Sequence, residues 1–224
     1  IRAPGKHAVF YIEGDGVAFL SRNQPSLDPT PKNPVALHLA TRDHAPNVIY
    51  MARPCQYTRL IDTSQPCPHE YWGVKRFAPE VIKSMNNAIE YLVRKYDIGP
   101  LHLVGFSGGG GVAILIAARR DDVASIRTVA GNLDHNTFTE LHEVTPMIES
   151  LNPVHEAANI AHIPQHHFIG EWDDVITPSV YISYRNASRN LSCVRHSVVK
   201  DADHETGWVS KWPTLLKAPI NCQN

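Results

Sequence analysis

The chain has 224 residues, with 21 Lys+Arg against 22 Asp+Glu and a formal net charge of −1, so no electrostatic field points to nucleic acid or an anionic membrane surface. A hydrophobic share of 43% with 19% charged residues excludes disorder and collagen-like repeats and supplies a sizeable core. The longest apolar run, Val112–Ala118, is about seven residues, far short of the roughly 18 that a spanning helix needs.

Short β-branched or apolar runs alternate with stretches of helical period, the pattern of a parallel sheet covered by helices on both faces. Strands are predicted at His7–Ile12, Val48–Ala52, Leu101–Phe106, Ile126–Ala130, His166–Gly170 and Val194–Lys200. Ser21–Pro34 carries Pro25, Pro29, Pro31 and Pro34, whose fixed φ angles suit an ordered loop rather than a helix or central strand. Pro54–Pro68 reads the same way. Helices are expected near Val35–Thr41, Pro79–Tyr96, Gly110–Arg119, Pro178–Ala187 and Val209–Leu216, with a short one near His155–Ile160. The clearest is Pro79–Tyr96: proline suits its first turn, and Val81, Ile82, Met85, Ile89, Leu92, Val93 and Tyr96 recur at three- and four-residue steps. Regular alternation resumes after each loop, so residues 1–224 read as a single domain with no large lid.

Cys55, Cys67, Cys193 and Cys222 have no metal or redox spacing. The expected pairs are the local closures Cys55–Cys67 and Cys193–Cys222, against the alternative of four reduced thiols. Disulfides imply an extracytoplasmic setting. The sequence opens on Ile1 rather than Met, which leads to the expectation of a segment before it carrying a signal peptide or lipid anchor. His135 with His142, His155 with His162, and His166 with His167 lack zinc-type spacing, so no metal or other cofactor is expected.

Gly105-Phe106-Ser107-Gly108-Gly109 follows a predicted strand and precedes the apolar helix Val112–Ala118, the strand–turn–helix setting of a G-x-S-x-G nucleophile elbow. A phosphate loop would need Lys after its last glycine, and Val112 stands there. With this motif the chain resembles the α/β-hydrolase superfamily over about His7–Leu216. In that superfamily nucleophile, acid and histidine follow one another along the chain. Gly170-Glu171-Trp172-Asp173 resembles the superfamily's acid turn, and Asp201-Ala202-Asp203-His204 its terminal histidine loop. The resemblance implies Ser107 as nucleophile, His204 as its base and Asp173 as the carboxylate orienting that base. Asp174 takes the acid role if the turn is shifted by one residue, and Asp134 stands where some members carry the acid.

One oxyanion donor is expected from the Gly108 N–H at the start of the helix. The second belongs after strand His7–Ile12, where the superfamily usually has His-Gly and this chain has Glu13-Gly14-Asp15-Gly16. The Asp15 N–H is expected there, with Gly14 the alternative and the Asp15 side chain turned away toward Arg53. Phe106, Trp172, Tyr57 and Phe138 lie beside the predicted site loops as candidate substrate-lining residues. The first two strands of the usual sheet have no counterpart in the chain, so an N-terminally truncated sheet of about six strands is expected. In this it resembles small exported or lipoprotein-like bacterial members. About 33 residues separate Ala130 from Pro164, too few for a lid domain, which predicts an open, shallow site. The expected function is carboxylic-ester hydrolysis on small-molecule or exposed acyl esters. Acyltransferase, thioesterase or peptidase chemistry on the same residues is the alternative, as is a silent binding protein. Oligomeric state is not readable from the sequence.

Overall fold

The computed structural model describes residues 1–21, 24–58 and 67–223. Six parallel strands run β1 (Ala8–Ile12), β4 (Asn47–Met51), β5 (Leu101–Phe106), β6 (Val123–Val129), β7 (Gln165–Gly170) and β8 (Val194–Val199), in the spatial order β4-β1-β5-β6-β7-β8. Parallel neighbours require crossovers, and helices supply them. These are α1 (Val35–Ala40), α2 (Pro79–Tyr96), α3 (Gly108–Ala117), α4 (His135–Leu141) and α5 (Pro178–Ala187), while α6 (Trp212–Leu215) follows the last strand.

The central strands are apolar on both faces because each face is covered. Ala8, Phe10 and Ile12 of β1 and Leu101 and Leu103 of β5 pack in one core with α2, α3 and α5. Val9, Tyr11, Val104 and Phe106 point the other way, into a second core with α1, Trp208 and Trp212. Helix α3 is buried along its whole length, which is why its apolar residues show no amphipathic stripe.

Several boundaries differ from expectation. The C-terminal helix is shorter than Val209–Leu216 because Pro213 has no N–H to return to Val209, so the helix cannot begin a turn earlier. Helix α3 begins at Gly108 rather than Gly110, since packing overrides the poor helix propensity of its four leading glycines. Helix α4 was not anticipated, although Asp134 is its N-cap, accepting from the Asn136 N–H at 3.1 Å. The expected short helix near residue 155 is a single tight turn, Pro153–Glu156. The first proline-rich segment, Ser21–Pro34, is not all loop: it contains β3 (Gln24–Pro25), which pairs antiparallel with β2 (Phe19–Ser21) in a separate two-stranded ribbon, a short edge pairing that tolerates Pro25. Both expected disulfides, Cys55–Cys67 and Cys193–Cys222, are formed, although residues 59–66 of the first loop lie outside the described residues. Among the described residues no helix is long and apolar enough to cross a membrane.

Candidate active site

Ser107 sits between the end of β5 and the first residue of α3 with φ 50° and ψ −122°, a conformation that L side chains rarely adopt. The neighbouring backbone enforces it: the Ser107 N–H donates to Val129 O, and the Ser107 carbonyl accepts from the N–H of Gly110 and of Asn132, each at 2.9 Å. A Cβ at Gly105 would stand 2.2 Å from Gly109 O, so the turn closes this tightly only on glycine.

Above the turn, Ser107 Oγ donates to His204 Nε2 at 3.0 Å. His204 Nδ1–H in turn faces both carboxylate oxygens of Asp173, at 3.1 and 3.2 Å. The carboxylate can only accept, which fixes the proton on Nδ1 and leaves Nε2 free to accept from the serine. Asp173 Oδ1 also accepts from the N–H groups of Val175 and Ile176 at 3.0 and 2.8 Å, holding a carboxylate whose side chain is fully buried. The histidine loop is pinned by Trp208, whose indole N–H reaches the carbonyls of Asp203 and His204. The His204 ring leans on Phe106, 5.3 Å between centroids.

The other acid candidates lie elsewhere. Asp174 is exposed. Asp134 accepts from Thr137, Asn152 and Ser183, and these donors outweigh burial, which acts first to raise it, and hold its pKa below the ordinary value. It organises α4 and α5 rather than His204.

The loop after β1 reaches the serine from the far side. A Cβ on Gly14 would approach Ser107 Cβ to 3.2 Å, and one on Gly108 would approach Asp15 Oδ1 to 2.2 Å. The Gly14 N–H already donates to Glu13 Oε1 at 3.0 Å, so it is engaged within the loop. Asp15 turns to Arg53 as expected, 2.9 Å from Oδ1, and also to Arg76, 2.6 Å from Oδ2. Burial would raise the Asp15 pKa, but Arg76 and Arg53 overcome it and hold the carboxyl below its ordinary value. Glu13, where histidine was expected, is bound to neighbours other than Ser107. Its carboxylate accepts from the N–H groups of Ala36 and Leu37 and from the Tyr50 hydroxyl, and burial pushes its pKa up. It caps the start of α1.

Ser107 and His204 open into a cavity of about 770 Å³ bordered by Phe19, Phe106, Phe138, Met147 and Ile176. The site is therefore a walled cleft, not the open, shallow surface expected. Its walls come from the β2–β3 ribbon, the segment just before α2 and the chain around α4, rather than from a separate lid. Phe106 and Phe138 border it; Trp172 and Tyr57 do not. Trp172 lies one residue out of phase with the inward-facing Asp173 and is 62% exposed. Tyr57 is turned outward, its N–H bound to Thr30 and its hydroxyl 3.3 Å from that of Tyr50. Arg76 and Asn132 at the cavity wall were not anticipated. Asn132 is 2% exposed and its Oδ1 has no partner among the described residues; its backbone N–H bond to Ser107 O is a long-range contact that no local pattern encodes.

No family model matches the chain and no curated protein matches it by sequence. Solved structures do match in shape. An alpha-beta serine hydrolase homologue from Coxiella burnetii is 16% identical, with a TM-score of 0.59 over 94% of this chain and 83% of its own. The esterase domain of a Rhodothermus marinus protein is 13% identical, also with a TM-score of 0.59, over 95% and 83%. The chain has the α/β-hydrolase fold. A puromycin hydrolase shares it more distantly, at a TM-score of 0.50 over 60% of this chain, which spans only 23% of that larger protein. Within this fold Ser107 occupies the turn after β5, Asp173 the turn after β7 and His204 the loop after β8.

Proposed function

We propose that the protein is a serine hydrolase that cleaves carboxylic esters through an acyl-enzyme. The observation that carries this is the unbroken hydrogen-bond chain from Ser107 Oγ through the His204 ring to the buried carboxylate of Asp173. A serine hydroxyl is a weak nucleophile until a base takes its proton during attack. A neutral imidazole held in the right tautomer is such a base.

In this reading Ser107 Oγ attacks the ester carbonyl as its proton passes to His204 Nε2. The C–O bond to the alcohol then breaks, and His204 returns the proton to the departing oxygen. Water, deprotonated by the same histidine, releases the acid. Asp173 steadies the imidazolium without taking its proton. The charge on the carbonyl oxygen is met by the N–H of Gly108, a first-turn amide of α3 without an intrahelical acceptor, and by that of Asp15.

The cavity's apolar walls favour esters with a sizeable apolar group over acetyl esters. The two disulfides support an extracytoplasmic setting. The test is labelling with a fluorophosphonate, with the modified residue located by mass spectrometry, followed by hydrolysis of p-nitrophenyl esters of increasing chain length. Labelling at Ser107 and loss of turnover in Ser107→Ala are expected, with kcat/KM rising from acetate to hexanoate. A folded protein that neither takes the label nor hydrolyses any ester overturns the reading.

A further inference from the structure

Asp15 presents a contradiction. Its carboxylate lies against Gly108, where a Cβ on the glycine would stand 2.2 Å from Oδ1. A free negative charge beside the amide that receives an oxyanion opposes the reaction. It is not free. Arg53, from the loop after β4, donates to Oδ1 at 2.9 Å, and Arg76, from the segment before α2, donates to Oδ2 at 2.6 Å.

Each arginine is itself fixed. Arg76 also donates from Nε to Gly73 O and from a terminal nitrogen to Trp72 O. Arg53 donates to the Arg76 carbonyl, and its guanidinium stacks 5.3 Å from the Phe77 ring centroid. Three separate segments of chain are thereby tied at one carboxylate beside the serine. The side chains involved are only 6–16% exposed, so the bonds are shielded from the screening that weakens surface pairs. Two guanidinium charges against one carboxylate leave a net positive group at the oxyanion side of the site.

We propose that Arg53 and Arg76 are positioning residues for acyl transfer, clamping the Asp15 carboxylate from both sides so that the Asp15 N–H is held as the second oxyanion donor beside Ser107. This rests on the serine-hydrolase reading above. Neither arginine touches the reacting atoms; they act through the loop. The lowered pKa of Asp15 agrees with a carboxylate that stays ionised in the clamp.

The test is a double-mutant cycle on the full chain with Asp15→Asn, Arg76→Met and the pair, reading kcat and KM for p-nitrophenyl butyrate and the rate of fluorophosphonate labelling. Asn keeps the shape of Asp15 but turns an N–H₂ toward one guanidinium. Displacing an oxyanion donor costs on the order of 10²-fold in kcat, so each single variant is expected to lose about that much. KM should stay within about threefold, and the double variant should be no slower than the slower single one, because the same clamp is already open. Arg76→Lys, which keeps the charge and one bond, should recover part of kcat, and it replaces Arg76→Met in the comparison if that variant does not fold.

Multiplicative losses, wild-type kcat in the folded single variants, or a change confined to KM overturns the clamp. The last result would make Arg76 a substrate-binding residue of the cavity wall. If wild-type protein fails to label at Ser107, the hydrolase reading itself falls; labelled wild type with unaffected variants removes only the clamp.

Discussion

Replacing Ser107 by glycine should give a more stable protein than replacing it by alanine, although both are expected to be inactive. Both variants lose the Oγ–His204 hydrogen bond, so that loss cancels in the comparison. What differs is the Cβ on a backbone held at φ 50°, ψ −122°. A non-glycine residue in so sparse a region costs about 1–3 kcal/mol. Glycine returns about 0.4–1 kcal/mol of that through the larger freedom of its unfolded chain. The balance favours glycine by about 1 kcal/mol, which for a domain of this size corresponds to roughly 2–4 °C in Tm. The backbone cannot relax to spare alanine the strain, because Val129 O, the Gly110 N–H and the Asn132 N–H hold the residue from both sides. Urea unfolding with the disulfides intact, followed by the fluorescence of the buried Trp208 and Trp212, measures the difference. Alanine equal to or more stable than glycine would refute the strained elbow.

Gly108→Ala should leave the fold intact but lower ester turnover by about 10²-fold, since its Cβ would displace the clamped Asp15 carboxylate; near-normal turnover would show that the loop has slack. Cys55→Ser with Cys67→Ser opens a 12-residue closure and should cost about 3 kcal/mol, read as a fall in Tm under non-reducing conditions. His167 is buried against Tyr181 and Tyr184, and burial, aided by the charges of His166 and His196, lowers its pKa from 6.5 to about 3. Its Nε2–H faces Gln165 Oε1, while Nδ1 accepts from Thr128. The unfolded chain therefore takes up this proton first as pH falls. Stability present above pH 6.5 is lost between there and about 3, with a slope of up to about 1.4 kcal/mol per pH unit. The difference in unfolding free energy between wild type and His167→Gln should narrow from pH 7 to pH 5; a difference independent of pH would mean the ring is solvated.

What the sequence discloses is what repeats locally. Helices α2 and α5 were legible to the residue because Pro79 and Pro178 mark their first turns and apolar stripes or short bounds mark the rest. The elbow was legible because a tight turn restricts residue type at Gly105 and Gly109. The cavity was not. Its walls come from the β2–β3 ribbon and from short segments at residues 16–18, 31–33, 69–76 and 138–147, whose placement is set by contacts far away in sequence. Arg76 meets Asp15 across 61 positions, and no periodicity announces such a pairing. Trp172 shows the opposite failure: proximity to Asp173 in sequence suggested the site, yet the turn sends adjacent side chains in opposite directions.

The loop after β1 carries two carboxylates, Glu13 buried and Asp15 partly so, whose surroundings push them in opposite directions, and this makes its anchoring separable by pH. Glu13 meets only neutral donors, and burial raises its pKa; Asp15 meets two guanidiniums, which outweigh burial and lower its pKa. For Asp15 the folded chain releases its proton more readily than the unfolded one. Its contribution is present above the ordinary carboxylate value and lost as pH falls through the lower, folded value. For Glu13 the sign reverses: its contribution is complete below the ordinary value and is lost as pH rises through the elevated one. The stability difference between wild type and Asp15→Asn should therefore shrink toward acid, while that between wild type and Glu13→Gln should shift in favour of the variant as pH rises from about 4 to 7. Urea unfolding of the three proteins from about pH 2 to pH 7 covers both windows, that of Asp15 below the ordinary carboxylate value of 3.8 and that of Glu13 above its ordinary 4.5, and pH effects elsewhere in the chain cancel in the differences. Parallel trends for the two variants would mean that the arginines do not set the charge state of Asp15, and the clamp would lose its electrostatic basis.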